Sequence, residues 1–212
     1  MRTLLRFVLC LTMVFSLTGC ALEPTGPLVP LTEVTVGVAP AVQPETTIDL
    51  LAGYIPEDRK LASTEALLYF DGDMLTMIKQ NCDSARIIKA IPVASVTASS
   101  RKAGENTALT LWVKAARKAN VELLIVPQIL DWREREGGAL GVTAPAKVFV
   151  QFYLINAKTG ELVSRSVFNE QQQSLAGDLL NVRTFFKRGG KWLTAQELSR
   201  EGIMNMIKEF GL

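Results

Sequence analysis

The chain has 212 residues, with 23 basic and 21 acidic side chains, three cysteines and no histidine. Without histidine there is no Ser-His-Asp or Cys-His activation of a nucleophile, and zinc loses its commonest ligand. So small a net charge gives no electrostatic reason to expect nucleic acid or an anionic lipid surface as partner.

Residues 1–19 follow an export pattern. Arg2 and Arg6 supply a basic start, and Phe7 to Leu17 form an apolar run. The run is shorter than the roughly 20 residues a membrane-spanning helix needs. It ends in Leu17-Thr18-Gly19-Cys20, which resembles the lipobox of bacterial lipoproteins. That resemblance implies cleavage between Gly19 and Cys20, with Leu17, Thr18 and Gly19 read by the signal peptidase. Cys20 then becomes an amino terminus carrying diacylglycerol and a further acyl chain such as palmitate. One acyl chain holds a protein to a bilayer only reversibly, whereas two or more hold it stably. Ala21 stands after the cysteine where an aspartate would signal inner-membrane retention. The same resemblance therefore implies the periplasmic face of the outer membrane.

Arg2, Arg6 and Cys10 leave with the leader, so the remainder carries equal numbers of basic and acidic residues. With Cys20 acylated, Cys82 is the single remaining thiol and no intrachain disulfide can form. A buried, inert side chain is expected there, with pairing between chains as the alternative. Ala21 to Pro30 holds Pro24, Gly26, Pro27 and Pro30 and reads as an extended spacer. The expected organisation is a leader over 1–19, a lipidated tether over 20–31 and a single periplasmic domain over 32–212.

Thr32 to Ala39 alternates with period two, placing Val34, Val36 and Val38 on one face of a strand stopped by Pro40. Ala41 to Lys60 shows no clear period and reads as a loop insertion. Ser63 to Asn81 reads as a helix capped by Ser63, with Leu67, Met74, Leu75 and Ile78 at helical spacing. Ala85 to Val96 contains Pro92 and reads as an extended edge segment. A second helix is expected from Asn106 to about Ala119, with Leu111, Trp112, Ala115 and Ala119 inward and Asn120 as stop.

Val121 to Trp132 is a dense apolar strand with a charged tip from Arg133 to Gly138. Lys147 to Asn156 returns as a strand, and Lys158-Thr159-Gly160 turns into a third, Leu162 to Gln171, completing an antiparallel meander. The run Gln171-Gln172-Gln173 reads as an exposed strand end. Thr194 to Glu197 is a capping box opening a last helix, with Leu198, Gly202, Ile203, Met206, Ile207 and Phe210 on one side and Gly211 as stop. The fold class expected is α/β (α+β): a mixed sheet with a three-strand meander, packed by about three helices including the C-terminal one.

Three stretches of this order stand out. A valine-alternating strand, Val34 to Pro40, leads towards a helix. Ala115 to Val126 joins a small-residue helix to a buried strand, and Val148 to Ile155 ends in Asn156-Ala157-Lys158-Thr159-Gly160. The succession resembles an α/β domain shared by the amino-terminal domain of the Tol-system propeller protein, the curli-secretion lipoprotein and lipoprotein activators of peptidoglycan synthases. It implies a protein that binds another envelope protein. The alternative is a subunit of a membrane-associated oligomer in secretion or transport, so a homo-oligomer stays open.

Candidate chemistry is sparse. Gly189-Gly190-Lys191 resembles the end of a phosphate-binding loop, but Trp192 follows where Ser or Thr belongs. Asp71 and Asp73 flank Gly72 without the later ligands of a calcium loop, and read as a solvated helix kink. Glu134 and Glu136 sit among arginines and read as mutual charge pairs on a solvated loop. A hydrolase built on two distant carboxylates is the least favoured class. No catalytic residue, metal or cofactor is expected. Arg183, Phe185, Phe186, Lys187, Arg188 and Trp192 form a basic, aromatic loop, either a partner surface or a set of apolar pins into the core.

Overall fold

A buried strand flanked on both sides organises the domain. The computed structural model describes residues 34–82, 87–92, 107–139, 141–172 and 188–212, all within one unit from Leu31 to Leu212. In chain order the described elements are β1 (Val36–Val38), α1 (Thr64–Asn81), β2 (Ile88–Ala90) and α2 (Ala108–Lys118). Then come β3 (Leu123–Arg133), β4 (Glu136–Gly137), β5 (Val142–Ala144), β6 (Lys147–Asn156), β7 (Glu161–Gln171) and α3 (Ala195–Phe210). The main sheet has the order β2-β1-β3-β6-β7, and β4 and β5 form a small separate hairpin.

The sheet is mixed, as expected. β1 runs parallel to both β2 and β3, with Val36 opposite Ile88 and Leu123. β3, β6 and β7 form the antiparallel meander, from Leu123 opposite Asn156 to Arg133 opposite Lys147 in the first pair. β3 and β6 are buried along nearly their whole length, which explains their near-continuous apolar sequence. β7 lies at the edge and is exposed over most of its residues.

α1 and α3 cover one face. Phe70, Met74 and Ile78 of α1, with Leu198, Ile203, Met206, Ile207 and Phe210 of α3, pack on Ile125, Ile129, Val150, Phe152, Leu154 and Phe168. Each such side chain contributes about 1.5–3 kcal/mol when removed from water. On the other face Trp112, Val113 and Ala116 of α2 meet Leu124, Val126, Tyr153 and Ile155. The alternation of Leu123 and Ile125 with Leu124 and Val126 splits β3 between these two cores.

Helix ends follow local chemistry. Ser63 Oγ accepts from Ala66 N at 3.1 Å, and Thr194 and Glu197 form the reciprocal capping box. Gly211 takes φ +65, and Asn120 closes α2 with φ +53, a conformation that glycine and asparagine tolerate best. Thr107, rather than Asn106, caps α2, accepting from Thr110 N at 3.2 Å; Asn106 lies outside the described residues. The inward face of α2 is Ala108, Trp112, Val113, Ala115 and Ala116, so Leu111 and Ala119 are only half-buried. On α1, Phe70 is fully buried and Leu67 and Leu75 lie at the margin. Phe70 stacks with Phe152 and meets Trp132 edge-on, which centres the helix one position round from the expected stripe.

Three further expectations change. β1 is confined to Val36–Val38, residues 32 and 33 lying outside the described set. Gln172 is buried, because its side chain accepts from Leu193 N at 2.8 Å and donates to Lys191 O at 2.9 Å. It ties the end of β7 to the lead-in of α3. Cys82 is half-buried, its N–H closing α1 on Ile78 O.

Candidate functional site

The face of the sheet beyond the reach of α2 is covered by residues 43–60, which form no strand. A segment without a ladder must satisfy its backbone groups by other means when it lies on a core. Polar side chains planted in β3 and β6 do this. Gln128 Oε1 accepts from Leu51 N at 3.1 Å, and its Nε2 donates to Asp49 O at 2.9 Å. Tyr153 Oη donates to Ala52 O at 2.8 Å and also bonds Gln151 Oε1. Asp131 Oδ1 accepts from Lys60 N at 2.9 Å. Gln43 bonds both backbone groups of Ala62, at 2.6 and 3.1 Å, closing the base of the excursion just before α1. Residues 41–60 are thus a loop, as expected, and one stitched to the sheet as a layer of the fold.

Polar residues inside otherwise apolar strands were the sequence signal for this layer. Gln128, Asp131 and Gln151 are nearly or wholly buried, where only a bonded polar group is tolerated.

Asp131 anchors the far end. Lys147 Nζ stands 2.9 Å and Arg133 Nε 3.1 Å from its oxygens, and Arg133 also pairs with Asp58 at 2.7 Å. Burial pushes the Asp131 carboxyl up. The Lys60 N–H, Lys147 and Arg133 outweigh it and hold the group below the usual carboxylate range, so it stays ionised at neutral pH.

A pocket of about 230 Å³ lies between the excursion and α2, lined by Val42, Gln43, Pro44, Glu45, Asp49, Ala108, Leu111, Trp112 and Gln128. Its two glutamines hold the excursion, and Asp49 accepts from Thr46 N at 3.0 Å and Thr46 Oγ1 at 2.9 Å. The lining brings no nucleophile beside a base, the arrangement that covalent or acid–base chemistry needs.

The carboxylates singled out in the sequence are occupied structurally. α1 runs through Gly72, and neither flanking aspartate is merely solvated. Asp71 Oδ1 accepts from Ala41 N at 2.7 Å. Asp73 faces α3, 2.9 Å from Arg200 Nε and 3.0 Å from Gln196 Nε2. The tip of β3 does not pair its charges internally either. Glu134 accepts from Trp132 Nε1 at 2.7 Å and from Ala195 N at 3.2 Å, capping α3, while Arg135 bonds the Trp192 carbonyl. Among the described residues no group of three or more Cys, Asp or Glu side chains stands together in a way that could hold a metal.

Of the basic, aromatic loop, Arg188 and Trp192 are described. Arg188 pairs with Glu201 at 2.6 Å, and Trp192 is buried, its N–H donating to Ala139 O at 2.9 Å. Arg183, Phe185, Phe186 and Lys187 lie outside the described residues, as do Leu17, Thr18, Gly19 and Cys20. Lys191 pairs with Glu197 at 2.7 Å, so the candidate phosphate-loop lysine serves the first turn of α3. No helix among the described residues is long and apolar enough to cross a membrane.

No protein-family model matches the chain, and no curated protein matches it. Among solved structures, the PelC dodecamer from Paraburkholderia phytofirmans is similar in fold, with a TM-score of 0.50 at 12% identity over 87% of this chain and 91% of that one. A hypothetical protein, CT253 from Chlamydia trachomatis, gives a TM-score of 0.47 at 11% identity, covering 84% and 95% of the two chains. Lipoprotein GNA1162 from Neisseria meningitidis gives 0.36 at 10% identity, covering 74% and 95%.

Proposed function

We propose that the chain is a non-catalytic envelope lipoprotein, anchored through an acylated Cys20 at the periplasmic face of the outer membrane, whose folded domain binds another envelope protein. Leu17-Thr18-Gly19-Cys20, behind a basic start and an apolar run, carries the anchor. Two or more acyl chains hold such a terminus to a bilayer stably, and the proline-rich stretch from Ala21 to Pro30 spaces the domain from it. For the binding role, the support is the use to which polar groups are put. Asp71, Asp73, Glu134, Gln128 and Asp131 each hold one element of the fold to another. Apolar side chains meanwhile stand outside it: Leu68 and Tyr69 on α1, Tyr54 in the excursion and Val167 on β7. Photo-crosslinkers at Tyr69 and Val167 in living cells test this: a discrete adduct with a second envelope protein supports it. Adducts with neither protein nor a second copy contradict it.

A second reading is a ring or other homo-oligomer. The similar fold seen in a dodecamer favours testing it. Sedimentation of the detergent-solubilised full chain separates the two, since a monomer under all loadings excludes self-assembly and a discrete large species supports it.

A further inference from the structure

α1 buries one side and leaves the other bare. Phe70, Met74 and Ile78 face the core, while Glu65, Leu68, Tyr69, Gly72, Thr76 and Lys79 are all exposed. At about 100° per residue, these six fall within about 60° of Gly72 around the helix. Leu68 is 68% and Tyr69 54% exposed. Gly72 itself is not explained by the fold. It lies inside an 18-residue helix, where glycine costs about 1 kcal/mol against alanine. Its φ is not in the positive range that favours glycine. A Cβ placed on it would meet nothing within 4 Å among the described residues. Bare backbone on an exposed face permits the close approach of another helix, because the side chains at a crossing set the distance between axes.

The charges on this face select the occupant. Glu65 stands seven residues before Gly72 and Lys79 seven after it, about 10 Å along the axis in either direction. Seven residues make nearly two whole turns, so both lie on the side of Gly72. Within one chain the two are about 21 Å apart along the helix and cannot pair. Among the described residues neither takes part in a salt bridge. In an antiparallel pair with its twofold axis at Gly72, each position before the crossing meets the position equally far after it on the partner. Glu65 then reaches the partner's Lys79, and Leu68 meets the partner's Thr76.

We propose that α1 is a self-association surface, packing antiparallel on α1 of a second copy and crossing it at Gly72. The Glu65–Lys79 pair is made twice, once at each end of the contact, and the same face of both copies is buried, as a twofold interface requires. This dimer is an instance of the self-assembly considered above, and it needs neither acylation of Cys20 nor an envelope partner.

Cysteine pairing in whole cells making the full chain tests it, with Cys82 replaced by serine and the linked α1 peptides identified by mass. Gly72→Cys should give an α1–α1 disulfide on mild oxidation, since the crossing brings the two Cα atoms within the roughly 4.4–6.8 Å a disulfide needs. Glu65→Cys alone or Lys79→Cys alone should not, whereas the two variants made in one cell should link to each other. No link in Gly72→Cys, equal linking by Glu65→Cys alone, or a link from α1 only to a different protein overturns the proposal. Gly72→Gln should keep or raise the urea midpoint while abolishing the link between Glu65→Cys and Lys79→Cys. A lowered midpoint would make Gly72 a requirement of the fold, and a link that survives Gly72→Gln would remove the crossing; either overturns the proposal equally.

Discussion

Gly202 of α3 lies so close to Phe168 of β7 that a Cβ added to it would stand 2.7 Å from the Phe168 Cγ and 3.0 Å from its Cβ. The absence of a side chain at Gly202 is therefore what lets the last helix settle on the edge of the sheet. The same helix reaches α1 through Arg200 and Asp73. α3 thus braces two elements far apart in sequence.

Gly202→Ala sets two effects against each other. Alanine favours a helix over glycine by about 1 kcal/mol, whereas overpacking a core contact costs about 1–3 kcal/mol. The contact includes the Phe168 Cβ, which a ring flip cannot move, so strain wins. The urea midpoint should fall, and a rise would show that α3 is not seated on Phe168.

Ile207 is 3% exposed, in a stripe with Ile203, Met206 and Phe210. Ile207→Ala should lose about 2–5 kcal/mol, and Lys208→Ala, on the exposed side, should stay within about 0.5 kcal/mol. Urea unfolding of both variants checks this. An unchanged midpoint for Ile207→Ala would make α3 a detachable arm.

Gln128→Leu keeps the volume roughly and removes both bonds to the excursion. Leu51 N–H and Asp49 C=O, both half-buried, then lose their partner. Stability should drop by about 1–3 kcal/mol, with Leu51 amide protection lost at neutral pH. Retained protection at Leu51 would mean the excursion is held elsewhere.

Much of this fold was legible because local signals agreed with the tertiary outcome. Lys147–Asn156 is a strand over the stretch its apolar run indicates. The last helix starts at its capping box and ends at Gly211. The excursion was not legible, because its bonds run from Gln128, Asp131 and Tyr153 to residues far away in sequence, and no local period records them. The same distance hid Asp71, whose partner Ala41 stands thirty residues earlier. Asp71 and Asp73 look alike in sequence and differ in role because they leave α1 in different directions. The reading of Leu17–Cys20 rests on the sequence alone, since those residues lie outside the described set.

The most direct test of the central claim is the intact mass and amino-terminal peptide of the protein recovered from outer membranes. The account predicts a chain that begins at Cys20 and carries a diacylglyceryl group on its thiol, a further acyl chain on its amine, and no residue of 1–19. In Cys20→Ser the same preparation should contain no mature protein, and the full-length precursor should remain with the inner membrane. A wild-type chain beginning elsewhere, or an unmodified Cys20 in a protein still fractionating with the outer membrane, would contradict it.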